Sequence, residues 1–190
     1  YEQYKKLLDY YFDISVQAQS YSYEVMNKEV SFLFTSILMD DCITRKKALL
    51  DGGVKILGGT NETYGNINTS DALYAIKTLV YEQKKYTLEQ LVEAADHDFA
   101  GYEYIQKDLL DAPKYGNDHT ACDELANDLY EFVAKGIRQR GIDAGMGYYL
   151  IVISNNQTNT DWGHKTAASL DGRKSGLYMN PANNPQGGAA

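Results

Sequence analysis

The side chains that most often carry chemistry are few and scattered in this 190-residue chain. The three histidines, His97, His119 and His164, are widely spaced, and the two cysteines, Cys42 and Cys122, form no CxxC pair. Metal sites and disulfide frameworks usually show clustered ligands or regular cysteine spacing. The sequence therefore predicts no metal site, and it predicts two buried or idle thiols of the kind found in a reducing cytoplasm.

The best candidates for a functional site follow the one strong predicted strand, YYLIVIS. Ser154, Asn155 and Asn156 lie at the end of this strand, and polar residues at the carboxyl end of a barrel strand often face the substrate. We predict that these three residues line the barrel interior. His164 lies in the irregular segment that follows, where loops of barrel enzymes carry function. Its position favours a structural hydrogen bond over catalysis.

Two other sets of residues are better explained by structure than by chemistry. The glycine pairs in GGVKILGGTNETYGN lack the Lys-Ser/Thr of a P-loop and the strand-then-helix spacing of a dinucleotide fingerprint. Glycine more often supplies backbone conformations that other residues avoid. Asp40 and Asp41 are adjacent, so on a helix they point in different directions and do not form a facing acid/base pair. We expect them to cap a helix or pair with a cation.

The charge and hydropathy of the chain exclude several classes of partner. The formal net charge is −8, whereas a nucleic-acid groove needs clustered Lys and Arg. The same charge disfavours an anionic membrane surface. No apolar run approaches the length of a membrane span, and no signal peptide is recognisable. We therefore expect a cytoplasmic protein that binds neither nucleic acid nor membrane.

The pattern of the elements predicts a helix-rich α/β fold. Tyr148 to Ile153 are apolar on consecutive positions, which predicts a strand buried on both faces, as in the wall of an α/β barrel. Thr87 and Gln90 form a capping-box pattern at the start of a helix. We predict one partial barrel domain over residues 1–190, with these parts: helices over 1–50, a Gly-rich loop over 51–68, helices over 69–145, a barrel strand over 146–156, and a connector over 157–190.

Several stretches, in this order and at this spacing, resemble the glycyl radical enzymes of the pyruvate formate-lyase-like family. They are APKYGNDHTACDELANDLYEFV, YYLIVISNN and ASLDGRKSGLYMNPANNPQGG, with MDDCI and NTSDALYAIKTLVYEQKKYTLEQL fitting upstream. The resemblance covers nearly the whole chain. The KYGND and DGRK-x-G pieces are specific in combination, and either alone would be weak.

The resemblance implies a ten-stranded α/β barrel in the complete enzyme, usually in a homodimer. It also implies a catalytic cysteine on one loop and, on another, a glycine that a radical-SAM activating enzyme oxidises to a stable radical. The resulting thiyl radical attacks a small-molecule substrate in a dry, enclosed site, where a reactive intermediate is protected from quenching. Members cleave C–C, C–O or C–N bonds, and include formate acetyltransferase, diol and hydroxyproline dehydratases, choline lyase and aryl-acid decarboxylases.

The family's reactive residues do not carry over to this sequence. Cys42, in DDCI, matches a helix position outside the cysteine loop, and Cys122 lies in the helix after KYGND. No RVSGY-like motif is present, so none of the 16 glycines is assigned as the radical site. We therefore expect no catalytic residue in this chain, no bound cofactor, and a connector over 157–190 that leads toward a radical domain outside the sequence.

Two hypotheses about function stay open. In the first, the chain is a fragment of a glycyl radical enzyme and is inactive alone, which the absent initiator Met and the Gly-Ala ending favour. In the second, it is a stand-alone scaffold or binding subunit that kept the fold and lost the chemistry. The stretch GNINTSDALYAIKTLVYEQKKYT resembles the dehydratase and lyase branch more than pyruvate formate-lyase itself.

Overall fold

A computed structural model describes residues 1–152 and 157–186. The chain divides into two compact units, which are described separately. Unit 1 comprises residues 1–61 and 132–152, and unit 2 comprises residues 62–131 and, among the later described residues, 157–186. Ser154, Asn155 and Asn156 lie outside the described residues, so their predicted place in a barrel interior stays a prediction.

Unit 1 is built on a long amphipathic helix. Phe12 and Val16 are buried on one face of this helix, and the Phe12 ring lies 5.9 Å from that of Phe132. Arg140 holds the same helix by ion pairs to Asp9 at 2.9 Å and Asp13 at 2.6 Å. The elements of unit 1 are α1 (Glu2–Glu29), α2 (Leu33–Ile37), α3 (Asp40–Arg45), a π-type turn (Leu49–Gly53), β1 (Gly58–Glu62), the second part of α7 (Thr120–Asp143) and β2 (Tyr148–Val152).

The strand β2 differs from its prediction. Tyr149 is 2% exposed, but its neighbours Tyr148 and Leu150 are 41% and 45% exposed, so the two faces of the strand are not both buried. Within the described residues β2 pairs with β1 alone, so its other edge has no strand partner there. The continuous apolar run of β2 fits a strand with more neighbours than this chain supplies.

The Gly-rich stretch 51–68 is less irregular than predicted, because it contains β1 and the first residues of the next helix. Gly58 and Gly59 allow β1 to approach two tyrosine rings. A Cβ at Gly58 would lie 2.5 Å from the Tyr148 ring, and one at Gly59 would lie 2.9 Å from the Tyr149 ring. The glycine pair therefore allows the strands to pack closely. From the sequence alone, these glycines indicated a loop.

Unit 2 is helical. Its elements are α4 (Asn66–Ile76) with a π-type continuation (Lys77–Glu82), α5 (Leu88–Asp96), α6 (Glu103–Asp111), the first part of α7, and α8 (Thr158–Gly163). The predicted capping box is confirmed: the Gln90 backbone N–H donates to Thr87 Oγ1 at 3.2 Å, and the Thr87 backbone N–H donates to Gln90 Oε1 at 2.9 Å.

One apolar core holds these helices together. It consists of side chains from α4, its continuation, α5, α6 and the residues that follow α5 and α6, all almost entirely excluded from solvent: Ala75, Leu79, Leu91, Ala94, Phe99, Ile105, Leu109 and Ala112. Each large aliphatic side chain removed from water in this way stabilises the fold by about 1.5–3 kcal/mol. This core fixes α4, which carries part of the candidate site, and α6, whose C-terminal end lies beside it.

None of the helices in the described part of the chain combines the length and the apolar character needed to cross a membrane.

Candidate functional site

The histidines make local hydrogen bonds or ring contacts and do not converge. His164 ends α8, and its Nδ1 lies 2.7 Å from the carbonyl oxygen of Gly176. His97 Nδ1 lies 2.8 Å from the Glu93 carbonyl oxygen, on its own helix. His119 packs edge-on against Tyr74, with ring centroids 5.2 Å apart. His164 therefore makes the kind of structural contact that its position favoured.

No metal site is formed in the part of the chain that the structure describes. His119 and Cys122 are three residues apart at the start of α7, yet no third His, Cys, Asp or Glu joins them there to make a group that could hold a metal ion. Asp40 and Asp41 occupy the first turn of α3, and the Lys55 backbone N–H donates to Asp41 Oδ2 at 2.9 Å. Asp41 therefore makes a local structural contact, which is neither the helix cap nor the ion pair that was expected.

Both thiols are inaccessible. Cys42 is 3% exposed and Cys122 is 2% exposed, so no substrate reaches either sulfur. Burial, with smaller contributions from the charges of Asp71 and Asp123, raises the pKa of Cys122 to about 12. The sequence offers no glycine in an RVSGY-like context, and the two thiols are closed to substrate. The residues present therefore do not fit thiyl or glycyl radical chemistry, and no radical step is assigned to them.

The residues that do converge form a buried polar cluster in unit 2, which we name the polar hub. Its members come from α4, from the segment between α6 and α7, and from the segment after α8. All are buried or half-buried, and most of them are linked by hydrogen bonds between side chains that are far apart in the sequence. The polar hub consists of Asn68, Asp71, Lys114, Asp171, Asn180 and Gln186.

Asn68 connects three parts of the hub. Its amide donates to Asp171 Oδ2 at 2.7 Å and to Gln186 Oε1 at 2.9 Å, and its Oδ1 accepts from the Asn180 backbone N–H at 2.7 Å. Gly65, at φ +71°, precedes α4, and the helix begins at Asn66, before residue 69, where the predicted helical region began. As a result Asn68 and Asp71 stand three residues apart inside the helix, on one face.

Asp71 joins α4 to two other segments. Its Oδ1 accepts from the Tyr115 backbone N–H at 2.8 Å, and its Oδ2 accepts from the Gln186 amide at 2.7 Å. The side chain is 1% exposed, and burial is the main cause that raises the pKa of this carboxyl above its ordinary value. A buried carboxylate with both oxygens engaged is costly to disrupt, because its partners would lose their only acceptors.

Lys114, from the KYGND stretch, closes the end of α6. Its ammonium group donates to the carbonyl oxygens of Leu109 and, at 3.0 Å, of Ala112. These carbonyls lie at the end of the helix, where no further backbone N–H is available to them. Burial lowers the pKa of Lys114, while the charges of Asp71 and Asp171 act in the opposite direction. The hub thus holds a buried cation near two buried carboxylates.

The DGRK stretch forms a tight loop around Asp171. Asp171 Oδ1 accepts from Ser169 Oγ at 2.6 Å and from the Arg173 backbone N–H at 3.3 Å. Gly172 has φ +96°, a conformation that favours glycine, and a Cβ there would lie 2.7 Å from the Leu110 side chain. The loop therefore needs both the Asp, as an acceptor, and the Gly, for its backbone and its contact with α6.

Arg173 stabilises the same loop by hydrogen bonds to its backbone carbonyl groups. Its guanidinium donates to the carbonyl oxygens of Ala167, of Lys174 at 3.1 Å and of Leu177 at 2.7 Å, and its Nε donates to Ser169 Oγ at 3.2 Å. The side chain is 8% exposed. Arginine suits this position because its planar group presents five N–H donors in a fixed arrangement.

The polar hub can position backbone segments, but it contains no nucleophile and no free base. Its carboxylates accept from named donors, and its cation donates to helix carbonyls. The side chains of Asn68 and Asp71 hold Asn180 and Gln186, in the last part of the described chain. The chemical capacity of the hub is therefore to fix the path of the chain after α8.

The hub was not predicted as a site from the sequence. Its members lie in the stretches NTSD, KYGND, DGRK and NPANNPQ, which carried the family resemblance, so a signal was present. The separations of 103 and 118 residues between Asn68 and its side-chain partners show why local patterns could not reveal the contacts.

Residues 1–159 match the family model described as pyruvate formate lyase-like. The chain belongs to this family. Among curated relatives it is 30% identical over 187 residues to the probable dehydratase YbiW of Escherichia coli (strain K12), an alignment that covers 94% of this chain and 23% of YbiW. It is 29% identical over 174 residues to the trans-4-hydroxy-L-proline dehydratase of Clostridioides difficile, covering 91% of this chain and 22% of that enzyme.

The fold agrees with the same assignment. The B12-independent glycerol dehydratase from Clostridium butyricum superposes with a TM-score of 0.90 at 28% identity, covering 99% of this chain and 24% of that one. The predicted fold class, a helix-rich part of the pyruvate formate-lyase-like barrel, is thereby confirmed. The chain spans less than a quarter of the length of these relatives.

Proposed function

We propose that this chain forms one segment of a glycyl radical enzyme of the dehydratase and lyase branch, and that it has no activity by itself. The supporting observation is the superposition of 99% of the chain on a glycerol dehydratase of which it covers 24%. In this role the chain supplies part of the barrel wall, including β2. Within unit 2, the polar hub fixes the path of residues 171–186.

The reaction class follows from the relatives. YbiW is named a probable dehydratase, and the other similar proteins include a hydroxyproline dehydratase and a glycerol dehydratase. We propose that the complete enzyme eliminates a substituent from a small hydroxylated substrate by thiyl radical chemistry. The cysteine, the glycyl radical and contact with a radical-SAM activating enzyme would come from outside these 190 residues. Homodimer formation and a cytoplasmic location are part of the same proposal.

The experiment is an anaerobic turnover assay on the purified chain. Glycerol, propane-1,2-diol and trans-4-hydroxy-L-proline are each incubated with the chain and a radical-SAM activating enzyme, and a full-length glycyl radical dehydratase serves as the positive control. We expect no product from the chain alone. Product formed by the chain would overturn the proposal. Tight binding of one of these substrates without turnover would favour the alternative, a stand-alone binding subunit.

A further inference from the structure

Unit 2 encloses a cavity of about 510 Å³ between α6 and the DGRK loop. This volume lies in the range of sites that bind small organic molecules, which is about 300–1,000 Å³. We name it the loop cavity. Its wall combines polar and apolar side chains, among them Gln106, Leu110, Lys114, Arg173, Lys174 and Tyr178.

The lining of the loop cavity carries one more cation than carboxylate. Three cations line it, Lys114, Arg173 and Lys174, together with the carboxylates of Asp111 and Asp171. Asp111 forms its ion pair with Lys107, which is outside the lining, and Asp171 accepts from neutral donors of the hub and loop. Within residues 1–152 and 157–186, no ion pair joins any of the three lining cations to a carboxylate.

Two of these cations are buried and have donors in excess of their recorded acceptors. The Lys114 ammonium has three N–H donors and donates to two carbonyl oxygens. The Arg173 guanidinium has five N–H donors and makes four hydrogen bonds. A buried donor gains most from a charged acceptor. Lys174 is exposed, so its flexible side chain can follow an anion that enters.

We propose that the loop cavity binds a small monocarboxylic acid. Its carboxylate would accept from Lys114, Arg173 and Lys174, and its short carbon chain would lie on Leu110 and Tyr178. A single negative charge is favoured over the double charge of phosphate, because Asp111 and Asp171 share the wall and would repel a dianion. This proposal goes beyond the proposed function and uses no radical chemistry, so either can fail while the other stands.

Calorimetry and ¹H–¹⁵N NMR on the purified full chain test this assignment with three probes: sodium butanoate, its neutral counterpart butanamide, and inorganic phosphate. We expect saturable binding of butanoate with shifts in the amides of Gln106, Gly172 and Lys174. Butanamide should not bind, and phosphate should bind more weakly than butanoate. Absence of saturable butanoate binding, equal binding of butanamide, or tighter binding of phosphate would each overturn the proposal.

Variants separate the loop cavity from non-specific attraction. Lys174→Gln should weaken butanoate binding by about two- to fivefold, the usual size of an exposed charge interaction. Lys174→Glu should abolish it and leave the fold intact, because this side chain is exposed. Lys165→Gln, an exposed lysine that lies over Trp162 and outside the cavity lining, should have no effect. Unchanged butanoate binding in Lys174→Glu, or an equal loss in Lys165→Gln, would contradict the assignment.

Discussion

The helices α4, α5 and α6 of unit 2 bury their apolar side chains more completely than the short helices α2 and α3 of unit 1 do. In unit 2, α4, α5 and α6 enclose a core in which Leu91, Phe99 and Leu109 are completely excluded from solvent. In unit 1, the short helices α2 and α3 leave large apolar side chains between 59% and 75% exposed: Leu33, Phe34, Ile37, Leu38 and Ile43. Exposed apolar groups of this size are uncommon on proteins that are complete by themselves.

This difference indicates that the chain is not equally self-sufficient along its length. Unit 2 is stabilised by contacts within itself, namely its apolar core and the polar hub. Unit 1 has a two-stranded sheet in which β2 has no second strand partner among the described residues, and helices with uncovered apolar groups. Such a distribution is expected of a barrel segment whose neighbours belong to the rest of a larger enzyme, and the relatives are more than four times as long.

The largest expected effect is on the unit 2 core. Leu109→Ala should lower the free energy of unfolding by about 3 kcal/mol, because it removes a fully buried side chain and leaves a cavity. The matched change in unit 1, Leu38→Ala, should alter it by less than about 0.5 kcal/mol, since that side chain is 67% exposed. Urea denaturation measures the free energy of unfolding of both variants. Similar losses in the two would contradict the proposed difference between the units.

A smaller loss is expected when the polar hub is opened. Asp71→Ala should cost about 2 kcal/mol, because the Tyr115 N–H and the Gln186 amide lose a buried acceptor. Asp13→Ala, which removes an ion pair to Arg140 in unit 1, should cost about 0.5 kcal/mol, since the Asp13 side chain is 57% exposed. If denaturation shows the same loss in free energy of unfolding for both variants, the hub contributes no more to stability than an exposed ion pair does.

The pH dependence of stability gives a third test. Burial raises the pKa of Asp71 above its ordinary value of 3.8, so the folded chain holds this proton more tightly than the unfolded chain. The associated stability is present below the ordinary pKa and is lost as pH rises through the folded-state pKa. The free energy of unfolding of the original chain minus that of Asp71→Asn should therefore fall as the pH rises above about 4. A stability difference that rises with pH would contradict the predicted upward shift of the Asp71 pKa.

Much of the fold could be predicted from local patterns, and the exceptions have physical causes. The capping box at Thr87 was recognisable because its two hydrogen bonds join residues three positions apart. The strand β1 was not recognisable, because Gly58 and Gly59 have poor strand propensity and are present to admit the Tyr148 and Tyr149 rings. Burial of β2 on both faces was wrong for this chain, because burial depends on neighbours that the sequence does not supply.

The candidate site was harder to predict than the fold. A structural hydrogen bond was predicted for His164 from its position after the strand, and its Nδ1 lies within hydrogen-bond distance of the Gly176 carbonyl oxygen. The polar hub depends on contacts such as Asn68 with Asp171 and Asp71 with Gln186, each more than 100 residues apart. Sequence patterns report local periodicity, and they carry no information on which distant polar side chains will meet in a core.

Electron paramagnetic resonance tests the central claim most directly. The purified 190-residue chain is treated anaerobically with a radical-SAM activating enzyme and its reductant, beside a full-length glycyl radical enzyme as the positive control. We expect the glycyl radical doublet in the control and no doublet in the chain, because the chain contributes scaffold and ordered loops without a radical glycine. A doublet from the chain itself would contradict this account.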